Sequence, residues 1–417
     1  MLNTKRTLFR LISFALVLAF AGGAAPGLQT LAAPAAMPIS NQLAAKLVLG
    51  QSDFTTNTPA ISQTGMSSPS GVAVDPTTGK VFVTEQTNNR VLRFASLTSL
   101  TNGAAAEAVL GQSDFTSNIA ATTQNGMSQA FLGLCVDSAG RLWVTDYRSN
   151  RVLRFDNASA KANGANADGV LGQPNFTSAT SNTTQNGMSS PEGLYVDGAG
   201  RLWVADVGNN RVLRFDNAAA KANGANADGV LGQPNFTTRN LNLTQSGMSS
   251  DTEVFVDTAS RLWVVDFGNN RVLRFDNAAA KANGANADGV LGQTDFTTGA
   301  LGTTQNKLSS PEGVSGDGTG RLYVADRNNN RILIFNNAAA KANGANADNV
   351  LGQPNFTSNA VNNGGLTARS LYAPNNLFYD AAADVLWVAD WHNQRVLMYN
   401  GYVYVYFPLI ANQVTSP

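Results

Sequence analysis

The chain has 417 residues, and its 28 Lys and Arg cancel its 28 Asp and Glu in a composition that is only 13% charged. A surface with no net field has little to draw in a phosphate backbone or an acidic membrane, which argues against nucleic-acid and membrane-surface roles. The single cysteine, Cys135, cannot form an internal disulfide and lies in the apolar run "GLCVD", where a buried inert thiol is the simpler reading.

The first element in chain order is a leader. Lys5, Arg6 and Arg10 precede "LISFALVLAFAGGAA", and small residues follow in "TLAAPAAMP". This order predicts a signal peptide over residues 1–36 and export of the remainder; an uncleaved anchor is the alternative, although the apolar stretch is short for a membrane span.

A repeat fills the rest. One arginine recurs as Arg90, Arg151, Arg211, Arg271, Arg331 and Arg395, at steps of 61, 60, 60, 60 and 64 residues. Each of the six units opens with an apolar run such as "GLYVD" (193–197), turns, runs "RLWVAD", turns through "GNN" and runs "RVLRF". Short runs rich in Val, Leu, Trp and Phe between Gly, Asn and Asp predict an antiparallel meander. Asp197 and Gly200 suit one tight turn, and Asn209 and Asn210 tolerate the left-handed conformation the next one needs. In the following "DNAAAKANGANADG", Asp216 or Asn217 is placed to cap a short Ala-rich helical turn that Asn223 and Gly224 would stop, after which "VLGQ" supplies a fourth strand.

Four strands per unit, apolar on both faces, predict sheets stacked face to face around an axis: an all-β, six-bladed propeller of four-stranded antiparallel blades over residues 37–401. "VLG" begins at 48, 109, 170, 230, 290 and 350, so the first copy is a spare outer strand. Residues 47–51 are expected to complete the last blade. The competitor is the tail, 402–417, which follows the turn signal Asn400-Gly401.

The stretch "PEGLYVDGAGRLWVADVGNNRVLRF" (191–215) resembles an NHL repeat, and its equivalents cover all six units. The resemblance implies the fold. It implies no single function, because similar propellers include extracellular sensor domains, RNA-binding modules, an amidating lyase and relatives of calcium-dependent lactonases. The tail "YVYVYFPLIANQ" resembles endings of some secreted bacterial proteins, which makes a secreted or cell-surface bacterial location the expectation.

Site candidates divide into regular and irregular ones. An acidic residue stands five positions before each repeated arginine: Glu85, Asp146, Asp206, Asp266, Asp326 and Asp390. A feature present in every blade is structural, since an active site requires asymmetry. The triplets at Asn175, Asn235 and Asn355 fit a glycosylation acceptor, yet their regular recurrence points to a turn. A lone His392 cannot build the multi-histidine metal site that the lyase resemblance would need.

Calcium needs only oxygen ligands, and the lactonase resemblance would place it at the starts of the innermost strands, where the positions read Ser70, Leu132, Glu192, Thr252, Glu312 and Asn375, with Glu253 one residue on. Glu192, Glu312 and Asn375 are the candidate ligands, and Leu132 weakens the ring. More variable are the residues just after the acidic position, which put Tyr147, Arg148, Phe267, Arg327, Trp391 and His392 on one face, the residue types that anchor partners. Caps packed under loops are the alternative. The expectation is therefore an exported, non-enzymatic, monomeric interaction propeller with no required cofactor, binding a protein, peptide or glycan there. A calcium-dependent hydrolase, lactonase or lyase is the second reading and an RNA-binding propeller the third.

Overall fold

The computed structural model describes residues 41–400, which form six sheets of four antiparallel strands. The leader expected over 1–36 and the tail 402–417 lie outside the described residues. Blade 3 shows the pattern: Pro191–Val196, Leu202–Asp206, Arg211–Phe215 and Gly229–Leu231, running from the axis outwards. The innermost strands begin at Pro69, Ala130, Pro191, Asp251, Pro311 and Pro374; each packs on the next and the last on the first, so the ring closes.

There is no single core. Each apolar cluster joins two neighbouring blades, as where Cys135, Trp143 and Val152 of blade 2 meet Leu194, Leu202, Val204 and Phe215 of blade 3. Strands apolar on both faces are what such stacking demands. Burial pushes the Cys135 thiol up to about 12, and the inert reading holds. Close approach at the axis also fixes glycines: a Cβ on Gly133 would lie 2.2 Å from the Glu192 carbonyl oxygen, and one on Gly313 2.3 Å from that of Asn375.

Leu47–Leu49 forms the outer strand of blade 6, pairing Leu47 with Met398, Val48 with Leu397 and Leu49 with Val396. The closing segment is longer than a strand. In blades 1 to 5 an Asn-Gly pair reaches the outer strand of the preceding blade around the ring: Asn223 Oδ1 accepts the Val170 N–H (3.0 Å) and the Gly224 N–H donates to the Val170 carbonyl (3.0 Å). Asn41 and Gln42 do the same for Val350 at 3.0 and 3.4 Å, Gln42 taking a left-handed φ of 60° in the glycine's place. These contacts satisfy outward backbone groups that would otherwise leave each outer strand open to pairing with another chain.

The Ala-rich segment departs from expectation. It holds a 3₁₀ turn, Ala218–Ala220, that ends at Lys221; Asn217 before it is left-handed (φ 48°) and its side chain caps nothing. The turn is held from outside instead. Arg93, Arg154, Arg214 and Arg274 each donate from Nη1 to carbonyls of the corresponding turn in the next blade, namely Ala158 and Lys161, Ala219, Ala279 and Ala339. At this position blade 5 has Ile334, and among the described residues blade 6 shows no such turn.

Candidate functional site

The strand register decides which side chains share a face. Pro191 stands opposite Asp206, Asp206 opposite Arg211 and Val212 opposite Leu231, so the inner-strand starts, the turns after "VAD" and the loops after "VLGQ" lie at one end of the blades.

Under this face runs the uniform layer. All six acidic–arginine pairs form, fully buried, with Nε–O distances from 2.5 to 2.8 Å. The second carboxylate oxygen of Asp206 accepts the Ser189 N–H at 2.6 Å, while Arg211 Nη1 and Nη2 reach the carbonyls of Phe236, Thr184 and Gly187. Each guanidinium therefore ties two loops to its own hairpin, Arg211 through four hydrogen bonds. The Asn-Phe-Thr triplets are turns as well. Asn175 Oδ1 accepts from Thr177 N and Oγ1 at 2.9 and 3.0 Å, and Asp114 occupies the equivalent place in blade 1 with Thr116 at 2.8 Å.

Above this layer the blades differ. After the acidic residue comes a turn, 3₁₀ in blades 2 to 6, closed by one left-handed residue, Asn210 in blade 3, while Asn209 stays buried and donates to Asp206. The first residue of each turn (Gln86, Tyr147, Val207, Phe267, Arg327, Trp391) is half-buried at the rim. Arg327 lies over the Trp391 ring, 4.6 Å from its centroid, and Trp391 meets His392 at 4.2 Å; His392 also packs edge-on against Tyr372 at 4.5 Å. Burial and the Arg327 charge hold the imidazole below its usual range, so it is neutral at pH 7. Tyr147 is committed elsewhere, edge-on to Phe131 at 5.8 Å. Thus the structure joins Arg327, Trp391 and His392 and sets Tyr147 apart, while Phe267 is half-buried on blade 4 and Arg148 is exposed on blade 2.

A groove of about 450 Å³ opens between blades 6, 1 and 2, lined by Ser68, Gln86, Thr87, Asn89, Ser128, Gln129, Arg148 and Trp391. Gln129 escaped the sequence reading. Other blades place Ser or Ala at this left-handed position, whereas blade 2 carries Gln129 with φ 67° and one extra residue before Gly133. That insertion is the reason for the 61-residue step, and this was the available signal. A comparable cavity of about 480 Å³ at the opposite end, between blades 3 and 4, is built largely of repeated turn residues whose carboxylates are spent. There Asp197 already accepts from Ala199 N, Arg201 N and Nε and Trp203 Nε1.

The axial ring is polar and buried. Arg327 Nη1 meets Glu312 at 2.9 Å. Glu192 Oε2 and both polar side-chain atoms of Asn375 have no hydrogen-bond partner among the described residues. Burial, then the neighbouring Glu312, pushes the Glu192 carboxyl well above its ordinary range. One residue deeper, Glu253 accepts from Val254 N (2.9 Å) and Asn376 Nδ2 (2.6 Å) and is raised by burial to about 8. This set fits calcium poorly. A hard dication needs six to eight oxygens, and here one of the three candidates is neutralised by Arg327 while Leu132 contributes no donor.

A family model for the NHL repeat matches residues 132–155, 188–215 and 308–335, in blades 2, 3 and 5. The NHL repeat is thus matched in three of the six blades. A mouse (Mus musculus) protein named NHL repeat-containing protein 3 is 27% identical over 155 residues, 36% of this chain; the match spans 40% of that relative's length. Among solved structures, a protein of unknown function from Bacteroides thetaiotaomicron superposes with a TM-score of 0.53 at 13% identity, covering 86% of this chain and 74% of the other. An auxiliary nutrient binding protein from the same organism gives 0.50 at 13% identity, covering 84% and 75%. A streptogramin B lyase gives 0.46 at 14% identity, covering 84% and 96%. At these identities the likeness is one of fold. The unmatched blade 4 has Asp251-Thr252-Glu253 where blade 3 has Pro191-Glu192-Gly193.

Proposed function

We propose that this NHL-repeat propeller is an exported, non-enzymatic interaction module that needs no cofactor, and that its partner sits on the face carrying the turns after the acidic positions. One observation carries the reading: the groove between blades 6, 1 and 2 lies where the blades cease to be alike, and Arg148 and Trp391 line it. Elsewhere the repeated polar groups are consumed by scaffold bonds, as in the six buried ion pairs and the Asp197 turn. Arg and Trp truncations at such sites typically cost about 2 kcal/mol or more, and surrounding polar residues little.

The test is binding of the purified chain to peptide and glycan arrays. Trp391→Ala and Arg148→Ala should weaken any ligand found by roughly 30-fold, the equivalent of 2 kcal/mol. Lys221→Ala, whose ammonium pairs with Asp228 at the opposite end, should not. The reverse ordering, or turnover of the ligand, would overturn the reading.

A further inference from the structure

We infer that the groove between blades 6, 1 and 2 recognises a carboxylate-bearing sugar, a uronate unit of a glycan; this rests on the proposed interaction role of that face. The chemistry of the lining carries it. Two amides (Gln86, Gln129), three hydroxyls (Ser68, Thr87, Ser128), one guanidinium and one indole face a cavity of about 450 Å³; Asn89 also lines it, but its amide is spent on the Asn118 carbonyl (2.8 Å) and the Gln129 N–H (2.7 Å). That volume lies within the usual 300–1,000 Å³ range for small-ligand sites. Apart from Trp391 and Ala120 no apolar side chain lines it, so it lacks the pockets that anchor peptide side chains. Adjacent sugar hydroxyls are each both donor and acceptor, and primary amides and hydroxyls match them on both counts.

The acidic preference comes from Arg148. Its Nε donates to Gln129 Oε1, which aims the guanidinium, and both terminal nitrogens are without a partner among the described residues. No carboxylate lines the groove. A planar guanidinium held by one edge presents its remaining donors to a planar carboxylate in two-point geometry. The wall exists in this blade alone among the described residues. At the pair of positions filled by Gln129 and Arg148, blade 1 has Ser68 and Thr87, blade 3 Ser190 and Gly208, blade 4 Ser250 and Gly268, and blade 5 Ser310 and Asn328, all shorter; blade 6 has Ala373 and His392.

The experiment titrates the purified chain with oligogalacturonate, oligoglucuronate and oligomannuronate, each against its methyl ester, so that the carboxylate alone changes. At least one free acid should bind about tenfold or more tightly than its ester, as expected of a charge-assisted pair. Arg148→Gln should erase that preference while leaving ester binding, and Trp391→Ala should weaken both forms. Arg239→Gln, an exposed arginine on a loop after blade 3, should leave the preference intact. Equal affinity for acid and ester, or a preference that survives Arg148→Gln, would overturn the inference. Peptide binding that depends on Trp391 in the absence of any sugar binding would overturn it too, while leaving the interaction role standing; array ligands indifferent to both Trp391 and Arg148 would remove that role itself.

Discussion

Blades 3 and 4 share the run "RVLRFDNAAAKANGANADGVLGQ" letter for letter, at 211–233 and 271–293, yet their innermost strands read Pro191-Glu192-Gly193 and Asp251-Thr252-Glu253. In both blades the outer three strands answer to the same neighbours: the next blade's Asn-Gly edge contact, the arginine donating to the next blade's turn and the buried ion pair. The inner strand faces the axis, where each blade meets a different set of side chains. Glu253 fills space that Gly193 leaves open: a Cβ on that glycine would come within 2.5 Å of the Glu253 carboxylate. Copying therefore preserves the periphery, and individuality collects at the axis and the rim.

The comparison breaks first at the ring closure, where the periphery is supplied by the other end of the chain. Deleting residues 41–49 removes the fully or nearly buried Leu47, Val48 and Leu49 and uncaps Val350. Truncating such residues costs about 2–5 kcal/mol each, a loss comparable with the whole stability of a typical domain, about 5–15 kcal/mol. Chemical denaturation should show a broadened or absent transition. Deleting 402–417 leaves four strands in blade 6 and should shift the midpoint little; a collapse on that deletion alone would assign closure to the tail.

Next comes the shared ion pair. Asp206→Asn leaves the Arg211 guanidinium buried without its counter-charge, at a cost of roughly 3–5 kcal/mol. Because the feature is uniform, Asp266→Asn should cost about the same, and neither should change ligand affinity in the fraction that stays folded. A stable variant that has lost binding would move these pairs from scaffold to site.

Asp251 sharpens the comparison at the inner strand. Neither carboxylate oxygen has a hydrogen-bond partner among the described residues, and burial followed by the charges of Asp206 and Asp266 pushes its carboxyl well above the ordinary range. Blades 1, 3, 5 and 6 have proline here, each after a left-handed residue as Ser250 is. Asp251→Pro should therefore stabilise the fold by on the order of 1–3 kcal/mol at neutral pH, since an unsatisfied buried group is removed. The sign with pH follows. A carboxyl raised on folding loses stability as pH climbs from the unfolded value towards the folded one, so the gain should be smaller near about pH 4 than near about pH 7.5. Equal gains at both would show that folding does not raise the Asp251 carboxyl.

Periodicity made the fold legible, because six copies of one pattern report strands, turns and stacking repeatedly. The acidic–arginine pairs were legible for the same reason. The groove was not. Its wall depends on Gln129, just before a one-residue insertion, whose side chain meets Arg148 nineteen positions later, and its far side comes from Trp391 at the other end of the sequence. Nor could spacing tell that Tyr147 would turn to Phe131 or that Arg327 would answer Glu312. The short helical turn expected after Asp216 is present as Ala218–Ala220, but the cap expected from Asp216 or Asn217 is not, because the donor that holds the turn belongs to the preceding blade.

The smallest effect tests the turn at the glycosylation-like triplets. Asn175, Asn235 and Asn355 each accept the N–H and hydroxyl of the Thr two residues on, and Asp53, Asp114 and Asp295 accept the same pair in the other blades. These bonds hold the three carboxyls below the usual range, so they are charged at neutral pH. Asn175→Asp should then leave the melting temperature unchanged at pH 7. A group whose value is lowered on folding loses its contribution as pH falls through that lowered value, so any difference should appear only in acid. Asn175→Ala, which removes the acceptor, should loosen the loop and lower the melting temperature slightly. If aspartate and alanine behave alike, the side chain is not holding the turn, and the recurrence of Asn and Asp at this place needs another cause.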